Sequence, residues 1–78
     1  MSKTRTIMTY KKEINELISA LNNAHGTDTA LKIESGCYWL CNADGTHHNP
    51  FSSDGLQPTR SGTGIYLYLL GLTDGLNL

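Results

Sequence analysis

The chain has 78 residues, of which 38% are hydrophobic and 17% are charged, and its formal net charge is -1. This length predicts one small domain and excludes folds that need a large scaffold around an enclosed pocket. The longest uninterrupted apolar run, residues 65–70, is six residues, whereas a bilayer span needs ~20. The N-terminus also lacks the apolar core of a secretory signal. We therefore expect a cytoplasmic protein that does not cross a membrane.

The first predicted element is a helix that begins at Thr9, after a flexible lead-in over residues 1–8. The Thr9 hydroxyl is expected to cap its first turn. His25-Gly26 should end it, because glycine readily adopts the left-handed conformation. The predicted buried face consists of apolar residues that recur at intervals of three and four: Tyr10, Ile14, Leu17, Ile18, Leu21 and Ala24.

Two short strands are predicted next, over 30–34 and 37–41. In the first, alternation points Leu31 and Ile33 toward the core. In the second, the aromatic composition favours a strand, and Trp39 is expected to pack in the core. Residues 35–36 form a candidate two-residue hairpin turn, but the parity of apolar positions also allows one long bent strand.

The chain then carries a strong turn signal over 42–45, because Gly45 can take a positive φ. A short third strand over 46–49 would complete a meander. Residues 50–58 lie between the two prolines of the chain and predict a loop, with Phe51 and Leu56 as apolar anchors on the core.

A second helix is predicted from Ile65, with Ser61 or Thr63 as its cap and Gly75 at its end. Aromatic residues at 66 and 68 leave a strand as the alternative. Its apolar stripe runs through Ile65, Leu69, Leu72 and Leu76.

The two cysteines, Cys37 and Cys41, are predicted to be buried and reduced. On a strand, this spacing separates them by about 13 Å, at roughly 3.3 Å per residue, which is too far for a disulfide or a shared metal ion. His47 can approach Cys41 across the turn, but a structural zinc site needs four ligands. A Cys-His nucleophilic pair would also need oxyanion donors and an orienting third group, and nothing in the sequence fixes Asp44 or Asp54 in that role. We expect no metal, no cofactor and no enzymatic activity.

Charge is unevenly distributed along the chain. The first twelve residues carry four bases and no acid, and the rest of the chain carries two bases and seven acids. A nucleic-acid-binding regulator that uses the basic N-terminus is one alternative function, although a sequence pI of about 6.2 makes nucleic acid an unfavoured partner. The bases of that segment are Lys3, Arg5, Lys11 and Lys12.

A second alternative is a binder of small anions. Residues 59–64 are small and polar, and backbone N–H groups at a helix start can bind phosphate or carboxylate. The competing interpretation is a capping turn whose hydroxyls satisfy the first helical amides. The candidate anion ligands are Arg60, Ser61, Gly62, Thr63 and Gly64.

Residues 60–76, RSGTGIYLYLLGLTDGL, resemble the C-terminal helices of small orphan proteins from bacteriophages and mobile elements. The whole chain is similar to those proteins in size and style, and anti-CRISPR proteins belong to that population. The resemblance implies a rigid small domain that works by occupying the surface of a host protein, with a CRISPR–Cas effector as an example of a target.

The sequence thus predicts an α+β domain: a helix, a two- or three-stranded antiparallel meander, a long loop and a C-terminal helix, with both helices on one sheet face. The open edge of so small a sheet invites a homodimer or another partner. We expect a non-enzymatic protein-binding module, with a homodimer as one alternative for its partner. Its predicted contact residues are Tyr38, His47, His48, Phe51, Asp54, Arg60 and Tyr66.

Overall fold

The protein is an α+β domain in which a β-hairpin lies between two helices along the chain. The computed structural model describes residues 2–75 and, within them, the side chains of residues 11–75. The elements in chain order are α1 (Ser2–His25), β1 (Ala30–Glu34), β2 (Cys37–Cys41) and α2 (Gly62–Gly75). No helix among the described residues is long and apolar enough to cross a membrane.

Helix α1 begins at Ser2, so the predicted start at Thr9 is wrong and Thr9 lies inside the helix. No proline or glycine precedes Gly26, so nothing in the backbone chemistry stops the helix from extending to Ser2. Its C-terminal end lies where the sequence predicted it. Gly26 has φ 68° and donates its N–H to Asn22 O at 2.8 Å, which satisfies a terminal carbonyl.

Strands β1 and β2 pair antiparallel as a hairpin through the turn at Ser35 and Gly36, so the alternative of one bent strand is excluded. The register pairs Leu31 with Leu40 and Lys32 with Trp39. Directly opposed residues share a face of the sheet. Trp39 therefore lies on the face opposite Leu31, and its predicted place in the core is wrong.

The predicted third strand over 46–49 does not form. One ladder-like bond remains, from Asn42 N–H to Thr46 O at 3.0 Å. Beyond it, the Asp44 carboxylate accepts the Thr46 N–H at 3.0 Å, and His48 N–H turns back to Thr46 O at 2.7 Å. These local bonds use the groups that a further strand would need.

The long loop after the turn is held to the core by Asn49, which is fully buried. Its Nδ2 donates to Leu56 O at 3.1 Å and to Tyr68 Oη at 3.0 Å, and its Oδ1 accepts the Phe51 N–H at 3.0 Å. Phe51 packs against the core as predicted. Leu56 is 67% exposed, so its predicted anchoring role is wrong, and its carbonyl rather than its side chain is tied down.

Helix α2, predicted from Ile65, begins at Gly62 and replaces the strand alternative over 65–68; Gly75 is its last described residue. Ser61 is its cap, because Ser61 Oγ accepts the Gly64 N–H at 3.0 Å. Ile65 and Leu69 are buried on its inner side. The last position of the predicted stripe, Leu76, lies outside the described residues.

Both helices pack on the hairpin face that carries Leu31, Tyr38 and Leu40. The two helices also contact each other, so the core forms where α1, β2 and α2 meet. Ile33, predicted to point inward, is 40% exposed near the hairpin turn. The buried cluster consists of Ile14, Ile18, Leu21, Leu40, Ile65 and Leu69.

Candidate functional site

The outer hairpin face, turned away from both helices, carries an aromatic and charged cluster around Trp39. The antiparallel register places Lys32 directly beside Trp39 on this face. Trp39 is half-buried, and among residues 11–75 it is not one of the side chains packed on the core. We call this cluster the Trp39 face; its members are Lys32, Glu34, Trp39, His47 and Arg60.

Two side chains from outside the hairpin pack on the Trp39 indole. The imidazole of His47 stacks on it, with ring centroids 4.1 Å apart and an interplanar angle of 11°. The guanidinium carbon of Arg60 lies 5.0 Å from the indole centroid, within the range of a cation–π contact. The indole is thus held by neighbours from two different loop segments.

The Glu34 carboxylate contacts two other members of the cluster, Lys32 and His47. Glu34 Oε1 accepts a contact from His47 Nε2 at 3.1 Å, and Glu34 Oε2 lies 3.3 Å from Lys32 Nζ. The Lys32 and Glu34 side chains are each 45% exposed, so water and salt screen these pairs and each stabilises the fold only slightly. The His47 ring thus contacts Glu34 through Nε2 while the imidazole stacks on the indole.

The turn after β2 positions His47. Gly45 has φ 90°, a value that favours glycine. Asp44 Oδ1 accepts the Thr46 hydroxyl at 2.7 Å and the Thr46 N–H at 3.0 Å. These hydrogen bonds, first of all the one from the hydroxyl, lower the pKa of Asp44. The turn therefore presents His47 toward Trp39 in a fixed direction.

The segment before α2 positions Arg60. The Arg60 carbonyl accepts the Tyr38 N–H at 2.8 Å. In the same segment, the Gln57 side chain forms hydrogen bonds with both the N–H and the carbonyl of Leu40. This segment therefore runs along the outer edge of β2, which brings the Arg60 side chain over Trp39.

The other predicted contact residues lie away from this face. Tyr38 and Tyr66 pack partly buried against the core, and the Phe51 ring lies 6.1 Å from the His25 ring on the loop side. His48 lies against Gly55, where an added methyl group would collide with its ring. Asp54 is exposed.

The Asp54 carboxylate is bonded within its own loop. It accepts hydrogen bonds from Ser52 Oγ at 2.5 Å and from the Leu56 N–H at 3.0 Å. The bond from the Ser52 hydroxyl is the largest of the causes that lower the pKa of Asp54. Of the seven predicted contact residues, His47 and Arg60 contact the Trp39 ring among the described residues.

The sequence analysis missed Lys32, Glu34 and Trp39 as site residues. A signal for them was present in the two-residue turn at Ser35 and Gly36. That turn makes Glu34 face Cys37, and counting outward from this pair puts Trp39 opposite Lys32 rather than on the face of Leu31.

The segment over 59–64 adopts the capping arrangement. Thr59 Oγ1 accepts the Ser61 N–H at 3.4 Å, and Ser61 Oγ accepts the Gly64 N–H. Two amides predicted for an anion are thus already bonded within the chain. Gly62 supports the packing of Tyr38, because a methyl group there would collide with that ring.

The two cysteines have different surroundings. Cys41 is buried and Cys37 is half-buried, and neither forms a disulfide, so the prediction of two buried thiols holds for Cys41 alone. Burial raises the pKa of the Cys41 thiol. Among the described residues, no group of three or more His, Cys, Asp and Glu side chains is placed to hold a metal ion.

The basic N-terminal segment lies on α1. Lys11 and Lys12 are exposed there, whereas the side chains of Lys3 and Arg5 lie outside the described residues.

Comparison of the chain with protein-family models, with curated proteins and with solved structures finds no match.

Proposed function

We propose that this protein is a non-enzymatic binding module that uses the Trp39 face to occupy the surface of another protein. The observation that carries the proposal is a half-buried indole on the sheet face opposite Leu31 and Leu40, with an arginine and a histidine packed on its ring. Tryptophan and arginine are enriched among residues that dominate binding energy at protein interfaces.

The rigidity of the cluster supports this function. His47 is fixed by Glu34 and by the turn at Asp44, and the Arg60 backbone is bonded to β2. Little side-chain freedom then remains to be lost when a partner binds, so more of the contact energy appears as affinity.

The chemistry of the Trp39 face suggests the partner surface. Two basic side chains, Lys32 and Arg60, flank the indole, and one carboxylate, Glu34, is already engaged by His47 and Lys32. An apolar or aromatic patch bordered by acidic groups would complement this arrangement. The resemblance to phage and mobile-element proteins makes a host defence complex, such as a CRISPR–Cas effector, the first candidate to test.

A tagged-protein capture experiment from a bacterial lysate that contains such a complex tests the proposal. The wild type should retain a stoichiometric protein partner, and Trp39→Ala should lose it. Leu67→Ala is the matched control, because Leu67 is a large apolar side chain that is 58% exposed on α2. With the purified partner, Trp39→Ala should weaken binding by about 30-fold or more, the effect of a hot-spot residue.

Equal retention by Trp39→Ala and wild type, or retention of no protein, would contradict the proposal. The basic N-terminus supplies a different outcome. If the retained molecule is a nucleic acid that is released by salt and lost in the double variant Lys11→Glu, Lys12→Glu, the protein binds phosphates electrostatically instead.

A further inference from the structure

We propose that a second copy of this chain pairs with the outer edge of β1, in antiparallel register, with Ile33 opposite Ile33 of the second copy. This pairing goes beyond the proposed function, because it uses the backbone edge of β1 and not the Trp39 ring, although Lys32 and Glu34 belong both to β1 and to the Trp39 face.

Alternate residues of an antiparallel strand point their N–H and C=O groups toward and away from the neighbouring strand. The Tyr38 N–H bonds to Arg60 O, on the side of β2 away from β1. The Ile33–Tyr38 pair is therefore one whose backbone groups point outward. By the same alternation, Leu31 and Ile33 present their N–H and C=O groups on the outer side of β1.

The two edges of the hairpin are treated differently by the chain. On β2, Arg60 bonds to Tyr38 and Gln57 bonds to Leu40, so that edge is closed. On the β1 side, Asn22 closes only the position of Thr29. Within residues 11–75 no hydrogen bond reaches the outward groups of Leu31 and Ile33, which leaves a short open edge toward the hairpin turn.

The side chains of β1 favour a second copy over a foreign strand. With Ile33 opposite Ile33, the flanking positions bring Lys32 opposite Glu34 of the second copy, and two-fold symmetry repeats this opposite-charge pair. Cross-strand pairs of opposite charge stabilise a sheet, and like charges oppose it. A register centred on Lys32 would instead place two lysines face to face.

Ile33 gives the pairing its apolar contact. It is 40% exposed in the single chain, and on the helix-bearing face it would lie against its symmetry mate. The two-fold axis would then run perpendicular to a four-stranded sheet, so both Trp39 faces would lie on the same side. A partner would meet two indoles on one continuous surface.

Sedimentation equilibrium over a concentration series at low salt tests the pairing. The wild type should show a monomer–dimer equilibrium that weakens as salt screens the lysine–glutamate pairs. Lys32→Glu and Glu34→Lys should each raise the dimer dissociation constant about tenfold, because an attraction becomes a repulsion twice. The double variant with both changes restores opposite charges and should recover the dimer.

Ile33→Pro removes an outward N–H that the hairpin does not use, so it should abolish the dimer while circular dichroism stays unchanged. If Ile33→Pro fails to fold, Ile33→Lys serves instead, because it places two cations opposite each other. Trp39→Ala should leave the dimer unchanged, which separates this proposal from the proposed function. A wild type that is monomeric throughout, or a dimer that survives Ile33→Pro or Ile33→Lys, would overturn it.

Discussion

Gln57 takes the place of a neighbouring strand beside Leu40. Its Oε1 accepts the Leu40 N–H at 2.9 Å, and its Nε2 donates to Leu40 O at 2.8 Å. Asn22 does the same at Thr29, where its Oδ1 accepts the N–H at 2.9 Å and its Nδ2 donates to the carbonyl at 3.0 Å. Two carboxamides thus satisfy edge positions that a two-stranded sheet would leave unpaired.

Gln57→Ala should lower the free energy of unfolding by about 1–3 kcal/mol, because Leu40 is fully buried and both of its backbone groups would lose their partner. Gln57→Glu keeps the acceptor but sets a carboxylate against the Leu40 carbonyl, so it should also destabilise near neutral pH. Urea denaturation measures both. Asn15→Ala is the control, since Asn15 donates to Lys11 O on an exposed helix surface. A Gln57→Ala variant as stable as the wild type would show that water replaces the carboxamide at no cost.

Two threonines near Asn22 should respond in opposite directions to the same substitution. Thr29 is buried, and its hydroxyl has no hydrogen-bond partner among the described residues, so Thr29→Val should stabilise the fold by about 1 kcal/mol. Thr27 Oγ1 donates to Asn22 Oδ1 at 2.7 Å, so Thr27→Val should destabilise by a similar amount. Thermal unfolding followed by circular dichroism compares them, and a loss of stability in Thr29→Val would contradict the assignment.

Gly55 and Gly71 should also change stability in opposite directions when each is replaced by alanine. Gly55 has φ +75°, and a methyl group there would collide with the His48 ring, so Gly55→Ala should destabilise by more than ~1 kcal/mol. Gly71 lies in α2 with open space where a Cβ would project, so Gly71→Ala should stabilise by about 0.5–1 kcal/mol. Chemical denaturation checks both signs. The prediction fails if the two variants shift stability in the same direction.

The thiols should differ in reactivity. Cys41 is buried, and burial raises its pKa, so little thiolate is present or accessible. Cys37 is half-buried and should react at least about tenfold faster with a disulfide reagent. Cys37→Ser should remove the fast phase, and Cys41→Ser should retain it. A fast phase that persists in Cys37→Ser would place the accessible thiol at Cys41.

Lowering the pH should reduce the stability that Asp44 and Asp54 provide by accepting hydrogen bonds within their loops. Both carboxyl groups have their pKa lowered in the folded state, chiefly by hydroxyl hydrogen bonds from Thr46 and Ser52. The unfolded chain then binds protons more readily, so this contribution to stability is complete above the ordinary carboxyl pKa of about 4. It is lost as pH falls through the lower folded values. Asp44→Asn with Asp54→Asn should flatten the dependence of stability on pH below about 4, and an unchanged acid profile would refute this cause.

Local patterns in the chain predicted much of the fold. The helix end at Gly26, both strand ranges and the Ser61 cap depend on neighbours a few residues apart, and all are confirmed. The start of α1 was predicted wrongly, because a helix can extend through any run without proline or glycine. The third strand failed because Asp44 competes locally for the Thr46 amide.

The candidate site could be predicted only in part. His47 and Arg60 were identified from composition and position, but their meeting on Trp39 depends on contacts between distant parts of the chain. Tyr38 and Tyr66 carry the same kind of side chain as many interface residues, yet the packing of α2 against the hairpin draws both toward the core.

By itself, the order of amino acids determined which segments are helix, strand and turn, because backbone sterics, capping and periodicity act over a few residues. Only the tertiary structure decided that His47 and Arg60 meet on Trp39, that Gln57 closes one sheet edge and that Asn49 is buried. Each of those outcomes depends on which groups from distant segments satisfy one another once water is excluded. No local pattern contains that information.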